Sequence, residues 1–373
     1  MIRKGYSFDD VLLVPRYNDI RSRKDVDTSV RFGKLDLKIP VLSSNMDTIT
    51  GHMMASKIFD LGGMGVLHRF CSIQENIDMY HNAAFKHDIG MITPWTPNGN
   101  PNPWIKTKEV IISLGISEGM ERFEALYNAG ARYFCVDVAH GHTKAIGKFV
   151  KLLKATYSDI FVIAGNVATH AGADYLASCG ADAIKVGIGP GSVCTTRIKT
   201  GCGMPQLTAI MDCAKVDRLI IADGGIKTPG DAVKALAAGA HVVMLGGMLA
   251  GCDETPGEFE IIPGIKLGHP FHGTSYQVTE EQRFKIFRGM ASKEAQEDFM
   301  GGLADWKAAE GIQIRVKAKG PVANVVNDLM GGIRSGMTYM GSKDIATLQR
   351  NAEFIEVTSN GVRENTAHGE GRL

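Results

Sequence analysis

The densest chemical signal in the chain is a cysteine set among glycines, small residues and hydroxyls. Residues 187–197 read GIGPGSVCTTR. Three glycines and a proline make a loop whose backbone N–H groups can turn toward an anion. Ser192 adds a hydroxyl, and Cys194 stands three positions before Arg197. A nearby cation favours the thiolate, the nucleophilic form of cysteine. A lone cysteine is more commonly a small buried filler, but a strand-end, glycine-rich setting favours the nucleophile. Two further glycine steps suit a phosphate, Asp223-Gly224-Gly225 and Gly246-Gly247. Asp223 offers two acceptor oxygens to ribose hydroxyls, and a helix cap or turn is its bland alternative. Asp137 precedes Ala139-His140-Gly141-His142. That HxH pair admits a zinc reading, yet no third ligand of suitable spacing accompanies it. Asn45-Met46-Asp47 and His68-Arg69 add polar groups. Glu310, within WKAAEG at 306–311, is either a solvated helix glutamate or a carboxylate on a flap that can shuttle a proton.

These groups need a scaffold that brings loop residues to one mouth. Eight short apolar runs, at 39–43, 65–67, 110–113, 133–138, 160–164, 183–186, 219–222 and 242–245, are rich in Val and Ile and mostly apolar throughout. Such runs suit parallel strands covered on both faces. Helical patterns separate most of them, for example 144–156, 171–178 and 229–238. Eight βα units in series predict a closed (β/α)8 barrel, whose active site lies at the carboxyl ends of the strands. An open doubly wound sheet is the alternative. Residues 93–102, TPWTPNGNPN, read as a surface loop. Residues 253–341 carry polar helical patterns and Gly-Gly steps and suit a mobile flap, which with the C-terminal segment covers about 253–373. The tail from 364 reads as poorly ordered.

The bulk properties restrict the function classes. Net charge is +1, with 44% apolar and 22% charged residues, so charge gives no attraction to nucleic acid or membrane. No apolar run reaches the ~18 residues of a membrane span. Seven cysteines, without a CxxC pair, argue for a reducing compartment, and a cytoplasmic enzyme is the expectation.

The chain resembles the family of IMP dehydrogenases and GMP reductases along nearly its whole length. The motifs are FDDVLLVP at 8–15, NMDT at 45–48, AGNV at 164–167, GIGPGSVCTTR at 187–197, ADGG at 222–225 and LGGMLAG at 245–251. The resemblance implies a single (β/α)8 catalytic domain over 1–373 and a homotetramer. It implies that Cys194 attacks C2 of a purine nucleotide, GMP or IMP, while hydride passes between that carbon and a nicotinamide cofactor. Within the family, the flap decides the direction. Dehydrogenases carry an Arg-Tyr pair there, and none occurs between 284 and 320. GGLADWKAAEG at 301–311, LGGMLAGCDE at 245–254 with Gly247 where dehydrogenases have Ser, and GGIRSGMTYMG at 331–341 are similar to reductases. The regulatory tandem repeat common in dehydrogenases would insert between the second and third strands, where only a short loop is read. FDDVLLVPRY at 8–17 and GVRENTAHG at 361–369 are more similar to dehydrogenases. Lys307 and Ala291 stand where reductases have Arg and Ser, and the 269–280 insertion lies outside the family pattern.

The implied reaction is NADPH-dependent reductive deamination of GMP to IMP. Its implied catalytic residues are Cys194, Thr196 and Glu310. Ser192, Asp223, Gly224, Gly225, Gly246, Gly247, Gly289, Met290, Ala291, Lys307 and Gly311 would hold the substrate. Asp137, Val138, Ala139, Arg69, Ser22, Arg23 and Ser335 would hold NADPH. Gly189, Gly191, Cys194 and Arg197 correspond to a monovalent-cation site, such as potassium would take. An IMP dehydrogenase without its regulatory domain, and a nucleotide-binding regulator that has lost catalysis, are the rival readings.

Overall fold

The computed structural model describes residues 2–85, 108–267 and 277–364. The expected loop at 93–102, most of the 269–280 insertion and the tail beyond 364 lie outside them. The eight apolar runs form eight parallel strands: β1 Val41–Ser43, β2 Met64–Leu67, β3 Ile111–Leu114, β4 Tyr133–Asp137, β5 Phe161–Val167, β6 Ala183–Val186, β7 Leu219–Asp223 and β8 Val242–Leu245. Each pairs with the next, and β8 pairs with β1, so the sheet closes into a barrel. Closure excludes the open-sheet alternative.

Strand ends differ from the sequence expectation where backbone chemistry intervenes. β1 begins after Pro40, which has no N–H to give a ladder, although its carbonyl still accepts from Val243. β5 runs on to Val167 through a register irregularity between Gly165 and Val167. A bulge of this kind re-aims side chains at a strand end, and here it presents Asn166 to the mouth.

Helices return the chain between strands. Thr143, Thr169 and Thr228 cap Lys144–Thr156, His170–Ser178 and Pro229–Ala237 by accepting from backbone N–H groups, and Pro229 suits the first turn. Gly130, Gly180 and Gly239 follow three of the barrel helices with φ of 107°, 98° and 112°. The buried Ala131, Ala181 and Ala240 come next. Only glycine adopts that backbone cheaply, so each helix stops and the chain turns straight into a strand.

The far end of the barrel is plugged by the hairpin of Val30–Phe32 and Leu35–Leu37. Phe32 is fully buried with its ring 4.8 Å from Phe161, at the start of β5. The mouth at the carboxyl ends is thereby left as the accessible end.

Beyond β8, the polar patterns resolve partly as sheet. Strands β9 Glu260–Leu267, β10 Gln277–Arg288 and β11 Gln313–Lys317 form an antiparallel sheet, with helix Lys293–Met300 between the last two. Charged residues recur every second position at 281, 283 and 285 and again at 315 and 317, a local period-two pattern that a helical reading misses. Helix Val322–Tyr339 belongs to the barrel wall instead of the flap. It buries Val322, Val326, Leu329, Met330, Ile333 and Met337, and it crosses Pro229–Ala237 closely at Gly332 and Gly336. A Cβ on Gly65 would collide with the backbone of Ala55 in helix His52–Asp60. Overpacking of this kind costs about 1–3 kcal/mol, so Gly65→Ala is expected to lose at least that much stability in chemical denaturation.

Candidate active site

The loop after β6 is tied down before it presents Cys194. Gln206 donates through Nε2 to the carbonyls of Val186 (2.8 Å) and Asp223 (3.1 Å), bridging the ends of β6 and β7. Gly187 has no room for a side chain, because a Cβ would collide with the Asp223 carbonyl. The Cys194 thiol donates to Thr196 Oγ1 at 3.2 Å, and Thr196 Oγ1 donates to Glu310 Oε2 at 2.8 Å. Thiol, hydroxyl and carboxylate therefore form one file, although Glu310 is 114 residues beyond Thr196.

Backbone pairing brings Glu310 there. Thr195 N–H donates to the Glu310 carbonyl (2.9 Å), Ile312 N–H to Val193 (3.0 Å), and Glu310 N–H to Ala291 (2.9 Å). Cys194 and Gly311 form an antiparallel bridge. The approach is close enough to require glycine on both sides. A Cβ on Gly311 would sit 3.0 Å from Ser292 N, and one on Gly289 would sit 3.0 Å from the Val193 carbonyl.

Beneath this file lies a buried charge cluster. Lys185, on β6 and 2% exposed, places Nζ 2.6 Å from Asp137 at the end of β4 and 2.6 Å from Asp223 at the end of β7. Asn45 Nδ2 donates to Asp137 Oδ2 (2.8 Å) and to Ser113 Oγ (2.9 Å). Asn166 Nδ2 donates to Asp223 Oδ2 (2.9 Å) and to the Gly187 carbonyl (2.7 Å). Burial alone would raise the pKa of Asp137, but the Lys185 charge, with hydrogen bonds from Lys185 and Asn45, pulls it below its usual range. Burial likewise works against the Lys185 ammonium, and Asp137 and Asp223 more than reverse this.

The glycine steps after β6, β7 and β8 gather on one side. Gly224 and Gly225, with φ of 90° and 82°, back onto Pro190. A Cβ on Gly247 would lie 2.9 Å from Ser192 Oγ, so those two residues adjoin. Gly246 faces Ser44 and Met46. Lys319 Nζ donates to the carbonyls of Gly247 (3.0 Å) and Met248 (2.9 Å), fixing this turn from behind.

A second tie holds the flap to the rim at β1. Arg288 Nε donates to Asp47 Oδ2 at 2.9 Å, and Nη1 to Asp298 at 2.6 Å. Asp47 N–H approaches Met290 Sδ at 3.3 Å, which sets Met290 beside the loop after β1, while Ala291 accepts from the N–H of Glu310, the residue paired with Thr195. Five buried side-chain atoms around these loops have no hydrogen-bond partner: Asp47 Oδ1, His68 Nδ1, Arg69 Nε, Asn166 Oδ1 and Gln206 Oε1. Unsatisfied polar atoms are rare in folded proteins, and among the described residues these five all belong to residues in or next to the barrel loops.

Other residues singled out in the sequence lie elsewhere. Arg197 is not the partner of Cys194. Its guanidinium donates to the Met204 carbonyl, and its side chain lies across Gly189 and Gly203, where any side chain on either glycine would collide with it. The Gly191 carbonyl accepts the Cys194 N–H at 3.1 Å. Lys307 is exposed, with Nζ 4.8 Å from the centre of the Trp306 ring. Val138 and Ala139 follow Asp137 at the rim, with Ala139 exposed. Ser22 caps the turn Arg23–Asp25 on the outer flank, beside the helix that carries Ser335. These three share no hydrogen bond with the Cys194 group. His140 and His142 are exposed, with ring centres 6.4 Å apart. Lys185 is the residue that sequence reasoning missed. It sits inside the apolar run 183–186, where its charge was the available signal.

Comparison with known proteins places these features in a family. Residues 5–368 match the family described as IMP dehydrogenase / GMP reductase domain. The chain is 33% identical to inosine-5'-monophosphate dehydrogenase of Nitrosopumilus maritimus, covering 98% of each. It is 32% identical to GMP reductase of Leishmania donovani, covering 99% of this chain and 98% of that one. The dehydrogenase alignment spans 486 positions against 373 residues here, so that relative carries residues without a counterpart in this chain. A crystal structure of a cysteine-to-alanine variant of GMP reductase from Trypanosoma brucei, in complex with guanosine 5'-monophosphate, superposes with a TM-score of 0.84 at 30% identity over 99% of both chains.

The tie at Arg288 is open to a direct test. Arg288→Ala leaves Asp47, whose side chain is 8% exposed, as an uncompensated buried charge, a change that costs roughly 3–5 kcal/mol. Limited proteolysis within 289–311 is expected to become at least about tenfold faster. An unchanged cutting rate would show that the backbone pairing at 310–312 holds the flap alone.

Proposed function

The chain belongs to the IMP dehydrogenase/GMP reductase family, and we propose that it is the reductase, converting GMP to IMP and ammonia with NADPH. The observation that carries the reading is the file Cys194–Thr196–Glu310. The displacement of an amine needs a nucleophile at C2 and a proton for the leaving nitrogen, and this file provides both from one source. The thiol proton passes through Thr196 to Glu310, leaving the thiolate to bond C2. The same proton returns through Thr196 to the amine as the C2–N bond breaks. GMP and the thiol thus give ammonia and a thioimidate, with atoms in balance and no water required.

On this reading, the nucleotide phosphate lies among Ser192, Gly224, Gly225, Gly246 and Gly247, where backbone N–H groups and a hydroxyl converge. Asp223 commits Oδ2 to Lys185 and Asn166 and offers its other oxygen to the ribose. Gly289, Met290, Ala291, Lys307 and Gly311 border the base. Lys307 presents one ammonium where an arginine would present a fork, so base recognition rests more on the backbone groups of the flap.

The residues at the rim fit a nicotinamide cofactor. Asp137, Val138, Ala139 and Arg69 would hold its reactive end, and the charge of Arg69 already acts on Asp137. Ser22, Arg23 and Ser335, on the flank, would meet its far end in a homotetramer. When bound, NADPH supplies the hydride that replaces sulfur at C2. Cys194 then leaves as a thiolate and regains a proton. Residues 1–373 act as one catalytic domain, soluble in the cytoplasm, and a monovalent cation such as potassium would take the carbonyls of Gly189, Gly191 and Cys194. Among the described residues, no helix is long and apolar enough to cross a membrane.

The dehydrogenase reading, from IMP and NAD to XMP, draws support from relatives of that name at 33% identity. It requires water to be activated without an Arg-Tyr pair in the flap, and Glu310 already has its place in the reductase file. Absorbance of reduced nicotinamide separates the two. GMP with NADPH is expected to lose it with matching ammonia release, and IMP with NAD to show no gain. The reverse result would establish the dehydrogenase. Tight nucleotide binding without turnover of either pair would make the chain a regulator. Two variants test the file itself. Cys194→Ala is expected to abolish turnover and keep GMP binding, and loss of both would make the cysteine structural. Glu310→Gln should slow ammonia release by roughly a hundredfold or more, and an unchanged rate would remove Glu310 from the mechanism.

A further inference from the structure

A buried ammonium at the floor of the mouth has no part in the steps above. Lys185 is fully enclosed, on the strand that leads to the Cys194 loop. It is shared equally between two carboxylates from strands that do not neighbour each other, β4 and β7. A barrel interior is ordinarily filled by layers of branched apolar side chains, and a buried charge is costly unless fully paired. The two carboxylates are the ones assigned above to the cofactor side and to the ribose. We propose that Lys185 is a positioning residue that locks Asp137 and Asp223 into one charged unit, so that the cofactor and nucleotide sides of the mouth are aligned together. The inference rests on the reductase reading only for the names of the two ligands.

The hydrogen bonding supports this division of labour. Asp137 gives Oδ1 to Lys185 and Oδ2 to Asn45, so neither oxygen is free to swing. Asp223 gives Oδ2 to both Lys185 and Asn166, which turns its other oxygen outward. Lysine suits the place because a compact ammonium can meet two carboxylates at 2.6 Å, whereas a guanidinium is a larger planar fork. The triad carries one net negative charge. The groups facing Asp137 are Lys185, Asn45, Asp223, the neighbouring Cys135 and the Arg69 guanidinium, whose charge also acts on it. Without the ammonium, two carboxylates share a buried site and one of them takes up a proton. Raising the pH through the neighbourhood of that raised pKa would ionise it again.

The test is Lys185→Met in the full chain, a straight side chain of similar length without the charge. The pair of substrates that the unaltered enzyme turns over is established first, as GMP with NADPH or IMP with NAD, and that pair is used throughout. Failure of the reductase reading therefore shows in the wild type, and failure of the present inference in the variant alone. The expected result is that KM for nucleotide and for cofactor rise together, each by about tenfold or more near pH 7. The deficit should vary with pH between about 7 and 9, because loss of that proton leaves two like charges facing each other with no ammonium between them. Asp223→Asn, by contrast, should weaken the nucleotide more than the cofactor. A rise in only one KM, or an equal deficit at every pH, would overturn the inference. If Lys185→Met does not accumulate as folded protein, Lys185→Arg decides. It keeps the charge and displaces the carboxylates, so both KM values should rise several-fold with the pH profile of the wild type, and unchanged KM values would refute the role.

Discussion

The site depends on a short stretch of backbone pairing between two loops that are distant in sequence. The N–H of Thr195 meets the carbonyl of Glu310, and the N–H of Ile312 meets that of Val193. Without these bonds, Glu310 is a flap carboxylate in solvent and Cys194 a thiol on an open loop. With them, Thr196 stands between the two at hydrogen-bond distance from each. Backbone bonds suit the task because they hold both partners at a fixed spacing and register. Glycine at 289 and 311 is what lets the chains come so near.

The rest of the molecule can be understood as support for that pairing. The closed barrel sets the ends of β6 and β7 side by side, and Gln206 bolts them together. The flap is anchored at several points: Arg288 on Asp47, Lys319 on the turn after β8, and Lys285, buried, on the carbonyls of Asp253 and Thr255. Each anchor pairs a cation from the flap side with an oxygen of the barrel side or of the flap root. Ties of this kind fix the covering segment in one position, and orientation errors of about an ångström weaken catalysis strongly.

Electrostatics divides the mouth into two zones. One side is made of glycine turns and a serine, groups able to offer N–H donors and a hydroxyl to an anion. The central floor carries the Asp137–Lys185–Asp223 triad, which offers carboxylate oxygens to hydroxyl and amide donors. Burial makes this floor rigid, since any shift of one carboxylate would expose a charged partner to a medium that solvates it poorly.

Much of this was legible before the fold. The Val- and Ile-rich runs specified parallel strands because both faces of such a strand are covered, and eight runs with helices between them specified a closed barrel. GIGPGSVCTTR marked Cys194 because a glycine-rich strand end is where ligands approach. Other features were not legible. The polar patterns of 253–341 suggested helices, yet Glu260–Leu267, Gln277–Arg288 and Gln313–Lys317 are strands, because their pairing partners lie in other segments of the chain. Arg197 was placed beside Cys194 by proximity in sequence, yet the turn at Gly189 and Gly203 sends it away. Lys185 was hidden within an apolar run because its partners lie 48 residues before it and 38 after it. The sequence by itself determined the barrel strands, the glycine-rich motifs and the family, since these depend on local periodicity and on short motifs. The family resemblance already named Glu310, but only the tertiary structure decided how that carboxylate reaches the thiol through Thr196 and which cation holds the floor, because both depend on backbone spacing between segments far apart in the chain.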